Sequence, residues 1–209
     1  MKISIFLNHP ECSAQCCVGM YEALHPHHAV DFFTKEQFKS KTFKDIDMVA
    51  FPGGIGDSDT FHTLVKPNEG YVLDFLDRGG KYLGICMGAY WAGHHYFDIL
   101  KGIQAKQYIK RPGADVKRSF GTVSNITWQG QPEQMYFYDG CSLVGNIDNS
   151  RVIARYPNGD AMALIQGNVG VIGCHPESMY SWYDKKFLKP HWHQGRHHNL
   201  LLDFVNLLT

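Results

Sequence analysis

Residues 84–88 read Gly-Ile-Cys-Met-Gly, so one cysteine, Cys86, stands between two glycines directly after a short apolar run. This order is typical of a strand that turns sharply into a helix and displays a nucleophile at the turn, where small neighbours relieve crowding. The N-terminus of the following helix favours a thiolate, and the backbone N–H groups after the turn, beginning at Met87, can stabilise an oxyanion. We predict that Cys86 is a nucleophile; the other interpretation is a tight turn that contains a buried cysteine.

A cysteine nucleophile needs a base, and the base needs an orienting partner. In the segment "VIGCHPES" (171–178) an apolar strand ends at His175, and Glu177 follows two residues later. Because the carboxyl ends of parallel strands meet at one edge of a sheet, His175 can reach Cys86 despite their separation in sequence. We therefore predict His175 as the base and Glu177 as the group that orients the imidazole. The alternative is a surface turn that contains these residue types by chance.

A third segment, "VAFPGGIGDSD" (49–59), places Gly53 and Gly54 at the end of another strand. Glycine backbone can approach a substrate closely and direct N–H groups at developing negative charge, although a plain loop has the same composition. The segment lacks the third glycine of a dinucleotide-binding fingerprint, and the chain has no phosphate-binding P-loop. Asp57 and Asp59, which follow the glycines, are predicted to cap a short helix rather than to contact a substrate amine.

The elements that position these residues follow from apolar runs and breakers. In the first half we predict strands at 2–7, 29–33, 45–51 and 81–86 and helices at 12–25, 68–80 and 87–97. This alternation indicates a parallel sheet covered on both faces. In the second half we predict strands at 121–128, 135–140, 151–156, 161–166 and 169–174, a hairpin turn at 157–160 and a helix at 199–208. The expected architecture is a single α/β domain over 1–209 with added antiparallel β structure in its C-terminal half.

The composition excludes several classes of protein. Of the 209 residues 44% are hydrophobic, and Lys+Arg and Asp+Glu both number 20, which gives no support for general binding to nucleic acid or to an anionic membrane. No apolar stretch approaches the length of a membrane span, and the first apolar run is too short for a signal-peptide core. We predict a cytoplasmic protein whose six cysteines are reduced thiols.

The cysteine turn, the later His-Pro-Glu and the earlier Pro-Gly-Gly, in this order, resemble the class I glutamine amidotransferase superfamily. The resemblance covers most of the chain and implies a flavodoxin-like, three-layer sheet and a Cys86–His175–Glu177 triad. In that superfamily the cysteine attacks a side-chain amide, ammonia leaves and water releases the acid from the thioester. The resemblance further implies a small-molecule amide substrate and a synthetase or ligase partner. No cofactor and no metal are expected.

One departure from the superfamily pattern concerns the residues after the nucleophile. Typical members that use glutamine continue with Gly-His-Gln, which helps to hold glutamine, whereas this chain has Gly88-Ala89-Tyr90. The sequence "GICMGAYWAG", with "FPGG" before it and "MYFYDG" after it, resembles the narrower biotin-protein ligase N-terminal-like domain. No ligase module fits within these residues, so biotinylation is not predicted. Tyr90 is expected to line the pocket and Trp91 to lie in the core.

Two rival functions remain open at this point. The same cysteine turn occurs in cysteine peptidases and in redox-sensing relatives of the superfamily, the DJ-1/PfpI group, and a non-catalytic binding or regulatory module would retain the pocket without turnover.

Two other segments are assigned no function. The histidine-rich segment 191–198 carries no cysteine or carboxylate at metal-ligand spacing and is predicted to be a polar loop. The basic segment 107–118 is predicted to be a solvated loop.

Overall fold

Residues 1–208 are described by a computed structural model, in which eleven strands form one sheet. The strands are β1 (Lys2–Phe6), β2 (Ala29–Phe33), β3 (Met48–Phe51), β4 (Lys81–Ile85), β5 (Ile103–Gln107), β6 (Thr122–Trp128), β7 (Gln131–Phe137), β8 (Cys141–Gly145), β9 (Arg151–Arg155), β10 (Ala161–Gln166) and β11 (Val169–Ile172). The α-helices are α1 (Ala14–Leu24), α2 (Ser58–Val65), α3 (Glu69–Asp77), α4 (Met87–Trp91) and α5 (Arg196–Asn206). No helix in this part of the chain is long or apolar enough to cross a bilayer.

One part of the sheet is parallel, and it contains the four strands of the first half of the chain together with β11. Its order begins β2-β1-β3-β4-β11, and every neighbouring pair in this group is parallel. The order continues through β10, β9, β6 and β7 with antiparallel pairs, while β8 pairs with both β10 and β5. The predicted fold class is confirmed: a parallel, flavodoxin-like half is extended by antiparallel strands from the C-terminal half.

Side chains on the parallel strands alternate between two buried faces, as expected for a sheet with helices on both sides. On one face Phe6, Phe51 and Tyr82 form an aromatic layer that Trp91 covers from α4, with Phe51 and Tyr82 stacked at 5.1 Å. On the opposite face α5 lies so close to the sheet that a Cβ at Gly170 would be 2.7 Å from a ring carbon of Phe204. These two faces complete the three layers.

The ends of α2 and α3 differ in how their caps are formed. Asp57 is the N-cap of α2, where its carboxylate accepts a hydrogen bond from the Thr60 amide at 2.8 Å, so the predicted short helix exists. Asn68 stands at the N-cap position of α3, but its side-chain amide donates to the Leu64 carbonyl at 3.0 Å instead of capping the helix. Gly79 ends this helix with φ 87°, a conformation that favours glycine.

Three predictions about residues 87–145 are wrong. The segment 107–118 is not a solvated loop, because Tyr108 is fully buried and stacks on Tyr156 at 3.6 Å. Strands β5 and β8 were not predicted; β5 pairs only with β8 and alternates buried and exposed residues, so it lacks an apolar run. The helix predicted over 87–97 ends at Trp91, where the Gly93 amide bonds back to the Tyr90 carbonyl and a series of turns follows.

Candidate active site

Cys86 occupies the turn between β4 and α4 in a conformation that is unusual for a residue with a side chain. Its backbone has φ 51° and ψ −103°, and its amide donates to the Ile172 carbonyl of β11 at 2.8 Å, which ties the turn to the neighbouring strand. A Cβ at Gly84 would overlap the Gly88 carbonyl, and a Cβ at Gly88 would overlap the Phe51 carbonyl. Both glycines are therefore required for the chain to turn here, as the sequence predicts.

His175 and Glu177 lie together directly after β11. The His175 Nδ1 donates to Glu177 Oε1 at 2.8 Å, and the two side chains are only 3% and 0% exposed. Burial alone would lower the pKa of His175, but the Glu177 carboxylate, helped by the nearby Cys86 and Cys16 thiols, outweighs burial and raises this pKa well above its usual value. With Nδ1 engaged, the other ring nitrogen, Nε2, has no hydrogen-bond partner within residues 1–208.

Cys86 and His175 line one pocket of about 140 Å³. The Cys86 Sγ lies 3.3 Å from the Tyr138 carbonyl, and Gly54 forms part of the same wall. Aromatic side chains of Tyr136, Tyr138 and Trp182 form another part. No Lys, Arg, Asp or Glu lines this pocket in the described part of the chain. The predicted nucleophile, base and glycine loop therefore meet at one cavity whose lining within residues 1–208 has no Lys, Arg, Asp or Glu.

The other predicted site residues lie around this pocket. Gly53 is beside the imidazole, since a Cβ there would be 2.7 Å from His175 Cε1. Met87 packs against Gly54, where a Cβ would be 2.6 Å from the Met87 Cε. Tyr90 is not among the residues that line the pocket; its hydroxyl donates to the Asp139 carbonyl at 3.2 Å, next to the residue whose carbonyl contacts Cys86. Trp91 is fully buried, as predicted.

Two backbone amides have no hydrogen-bond partner in the described chain: that of Gly54, which lines the pocket, and that of Met87, which follows Cys86. By contrast, the Gly88 amide is already occupied by the Pro52 carbonyl at 3.1 Å. The loop that carries Gly54 is fixed by the start of α1, because the Ser13 amide donates to the Gly53 carbonyl at 3.0 Å. The amides that the sequence predicts for an oxyanion are thus held in place and unpaired.

Cys16 is a residue of this site that sequence reasoning missed. All six cysteines are free and buried. The Cys16 Sγ, one ring nitrogen of His175 and one carboxylate oxygen of Glu177 lie within 4.8 Å of one another, and Cys16 also lines the pocket. The one signal available in the sequence is that α1 begins after the carboxyl end of β1, at the edge where the other site residues collect.

Helix α1 reaches the site because Gly19 has no side chain. A Cβ at Gly19 would overlap the Glu177 carbonyl and lie 3.2 Å from the Glu177 Cγ. Gly19→Ala should therefore lower the free energy of unfolding by about 1–3 kcal/mol through overpacking, although alanine is the better helix former. The matched control is Gly70→Ala in α3, where an added Cβ would meet nothing within 4 Å. This substitution should raise the free energy of unfolding by about 0.5–1 kcal/mol. Urea unfolding measures both values; equal stabilisation would show that Gly19 is not a contact point.

The histidine-rich segment is not a polar loop, because two of its histidines, His193 and His197, are buried. The Nε2 atoms of His193 and His198 both contact the Ser178 carbonyl at 3.1 Å. His193 Nδ1 accepts from the His197 amide at 3.3 Å, so its Nε2 carries the proton and the ring is neutral. Burial, together with neighbouring histidines, lowers the pKa of His193 to about 3. These contacts hold the residue that follows Glu177.

The sheet order, the cysteine turn and the adjacent histidine–glutamate pair define the class I glutamine amidotransferase-like fold. A glutamine amidotransferase from Thermotoga maritima aligns with a TM-score of 0.72 and 9% identity over 100% of this chain and 97% of its own. A second glutamine amidotransferase aligns with a TM-score of 0.69 and 15% identity over 99% and 98%. A protein from Thermoplasma acidophilum, described as part of a GMP synthase, aligns with a TM-score of 0.65 and 15% identity over 100% and 94%. At these identities the likeness shows the fold.

The particular family model that matches is that of the biotin-protein ligase N-terminal domain, over residues 8–99. This region contains the Pro-Gly-Gly loop and Cys86, whereas His175 and Glu177 lie beyond it. The resemblance stated from the motifs, to the superfamily and to this branch, is confirmed. No curated protein sequence matches the chain.

Proposed function

We propose that this chain is a cysteine-dependent amidase or amidotransferase-like hydrolase that acts on a small amide. The observation that carries the proposal is the buried His175–Glu177 pair, whose 2.8 Å hydrogen bond leaves the second imidazole nitrogen without a partner beside the pocket of Cys86. In this proposal Cys86 is the nucleophile, His175 is first the base and then the acid, and Glu177 fixes the tautomer and orientation of the ring.

The proposed reaction has two stages. His175 accepts the thiol proton, and the Cys86 sulfur attacks the amide carbon to give a tetrahedral oxyanion that the amides of Gly54 and Met87 stabilise. The carbon–nitrogen bond then breaks as His175 donates its proton to the leaving nitrogen, and ammonia departs. Water, deprotonated by His175, attacks the thioester, and the carboxylic acid leaves as the proton returns to the sulfur.

The pocket supports an amide whose acyl group is small and uncharged. Burial of an unpaired charge is costly, and the lining of this 140 Å³ cavity offers aromatic rings and neutral polar groups, among them Ser13 and Gln15. Gly88-Ala89-Tyr90 in place of Gly-His-Gln agrees with a substrate other than glutamine. Because one protein of this fold is described as part of a synthase, a synthetase or ligase partner that uses the ammonia belongs to the proposal.

The test is covalent capture of the acyl group on Cys86. The protein is incubated with glutamine or with uncharged primary amides such as propionamide and benzamide, quenched in acid and digested for peptide mass spectrometry, while ammonia is assayed in parallel. We expect an acyl adduct on the Cys86 peptide and a kcat/KM at least tenfold higher for an uncharged amide than for glutamine, on the scale of one unpaired polar group.

Two variants make the outcome interpretable. Cys86→Ser should lose the adduct and ammonia release, whereas Cys141→Ser, which changes a fully buried thiol outside the pocket, should retain both. Ammonia release that persists in Cys86→Ser would overturn the assignment of the nucleophile. Absence of any adduct, together with stabilisation of the protein by the same amides, would replace the enzyme by the binding module.

A further inference from the structure

We propose that Cys16, His175 and Glu177 form a binding site for a zinc ion. Their donor atoms, one thiol sulfur, one imidazole nitrogen and one carboxylate oxygen, already lie within 4.8 Å of one another. These are the ligand types that zinc prefers, and tetrahedral zinc holds such atoms about 3.3–3.6 Å apart. Two donor atoms at the 4.8 Å limit would therefore have to approach each other by about 1.2–1.5 Å to complete three of the four ligand positions.

An unpaired buried atom is the second observation that points to a cation. Glu177 Oε2 is buried without a hydrogen-bond partner within residues 1–208, in a side chain that is 0% exposed. Buried polar atoms are normally paired, because each unpaired atom costs free energy of order 1–3 kcal/mol. A zinc ion held by both His175 and Glu177 would bind Nδ1 in place of the proton that Nδ1 donates to Glu177 Oε1, and it would give the carboxylate the electrophilic partner that Oε2 lacks.

The surroundings of the three residues suit a divalent cation. Cys16 and His175 both line the pocket, so an ion can reach them from it. No Lys or Arg lines this pocket in the described chain. Binding would release the Cys16 thiol proton and the His175 Nδ1 proton to solvent, since zinc is held by the thiolate and by a ring nitrogen that has lost its proton.

Zinc at this position would compete with the chemistry proposed above. An imidazole that donates its lone pair to zinc cannot accept the Cys86 proton, so the ion would act as a reversible inhibitor. This consequence depends on the proposed function, whereas the zinc site itself does not, because Cys86 is not one of its three ligands.

The direct test measures zinc affinity of the reduced full chain by competition with a chromophoric chelator. We expect one zinc ion per chain for wild type and a loss of affinity of about 100-fold or more in Cys16→Ser, because a neutral hydroxyl replaces a thiolate ligand. The matched control is Cys17→Ser, which changes the adjacent buried thiol; the Cys17 Sγ donates instead to the Phe6 carbonyl at 3.5 Å, so zinc affinity should not change.

A second measurement keeps the test independent of how well the variants fold. Cobalt(II) added to wild-type protein should produce a near-ultraviolet charge-transfer band from one thiolate ligand, and zinc should displace it. Cys86→Ser should lose the acyl adduct and keep the band, so failure of one proposal is distinguishable from failure of the other. Wild-type protein that binds no zinc, or a Cys16→Ser variant that binds it as tightly, would overturn the zinc site.

Discussion

His175→Ala should slow alkylation of Cys86 by iodoacetamide at pH 6 on the order of 100-fold, because a thiol without a neighbouring base is only about 0.3% thiolate at that pH. In the proposed mechanism His175 accepts the thiol proton, so the variant loses the group that activates Cys86. The rate is read from the Cys86 peptide by mass spectrometry over a series of pH values. A chelator in the buffer keeps zinc away from His175.

The controls for this experiment are present in the same chain. Cys141 and Cys174 are fully buried, so any labelling of their peptides reports unfolding rather than a change in Cys86. His175→Gln, which leaves a smaller cavity than alanine, should give the same slow rate if the effect is chemical. Equal rates in wild type and both variants would make Cys86 a structural residue, and the binding module would then replace the enzyme.

Acidification from pH 7 to pH 5 should lower the free energy of unfolding by roughly 2–4 kcal/mol, because two buried histidines must stay neutral in the folded protein. Burial is the main cause that lowers the pKa of His193 to about 3 and that of His197 to about 4. In the unfolded chain both titrate near 6.5, so between pH 6.5 and 4 the unfolded state binds more protons and stability falls with falling pH.

Other charged groups that face these histidines do not reverse the sign. Glu133, which pairs with Arg196 and His197, has a lowered pKa, so its contribution is also lost towards acid. His198 lies on the same helix and opposes protonation of both rings. His175 has a raised pKa, so it is protonated in the folded and unfolded states alike below pH 6.5 and adds no slope there.

Urea unfolding at several pH values checks this prediction. His193→Asn and His197→Asn should each reduce the acid-induced loss by about half, since each removes one of the two titrating rings. His25→Asn, at an exposed residue after α1, is the matched control and should leave the loss unchanged. A wild-type protein that is equally stable at pH 7 and pH 5 would show that these rings are not held neutral.

The parts of the site that lie at strand ends could be predicted from sequence, because parallel strands carry their C-terminal residues to one edge of the sheet. Cys86, His175 and the Gly53-Gly54 loop each follow an apolar run, and the structure brings all three runs to that edge. Their proximity followed from topology alone and needed no knowledge of side-chain packing.

The parts that depend on packing across the sheet edge could not be predicted. Cys16 belongs to helix α1, whereas His175 lies more than 150 residues later in the sequence. The helix can approach His175 only because Gly19 has no side chain. His193 looked polar by composition, yet its ring is buried because Ser178 and His197 supply partners for both nitrogens. Strand β5 pairs only with β8 and alternates polar and apolar residues, so no continuous apolar run marks it.

The position of β11 in the sheet has a consequence for how the protein is made. This strand pairs with β4 and binds the Cys86 amide, although it leaves the ribosome long after β4. His175 follows directly behind it. During translation Cys86 therefore emerges long before the proposed base, and the two residues come together only when β11 inserts beside β4. The order of the chain thus delays assembly of the proposed reactive pair until β11 has been synthesised.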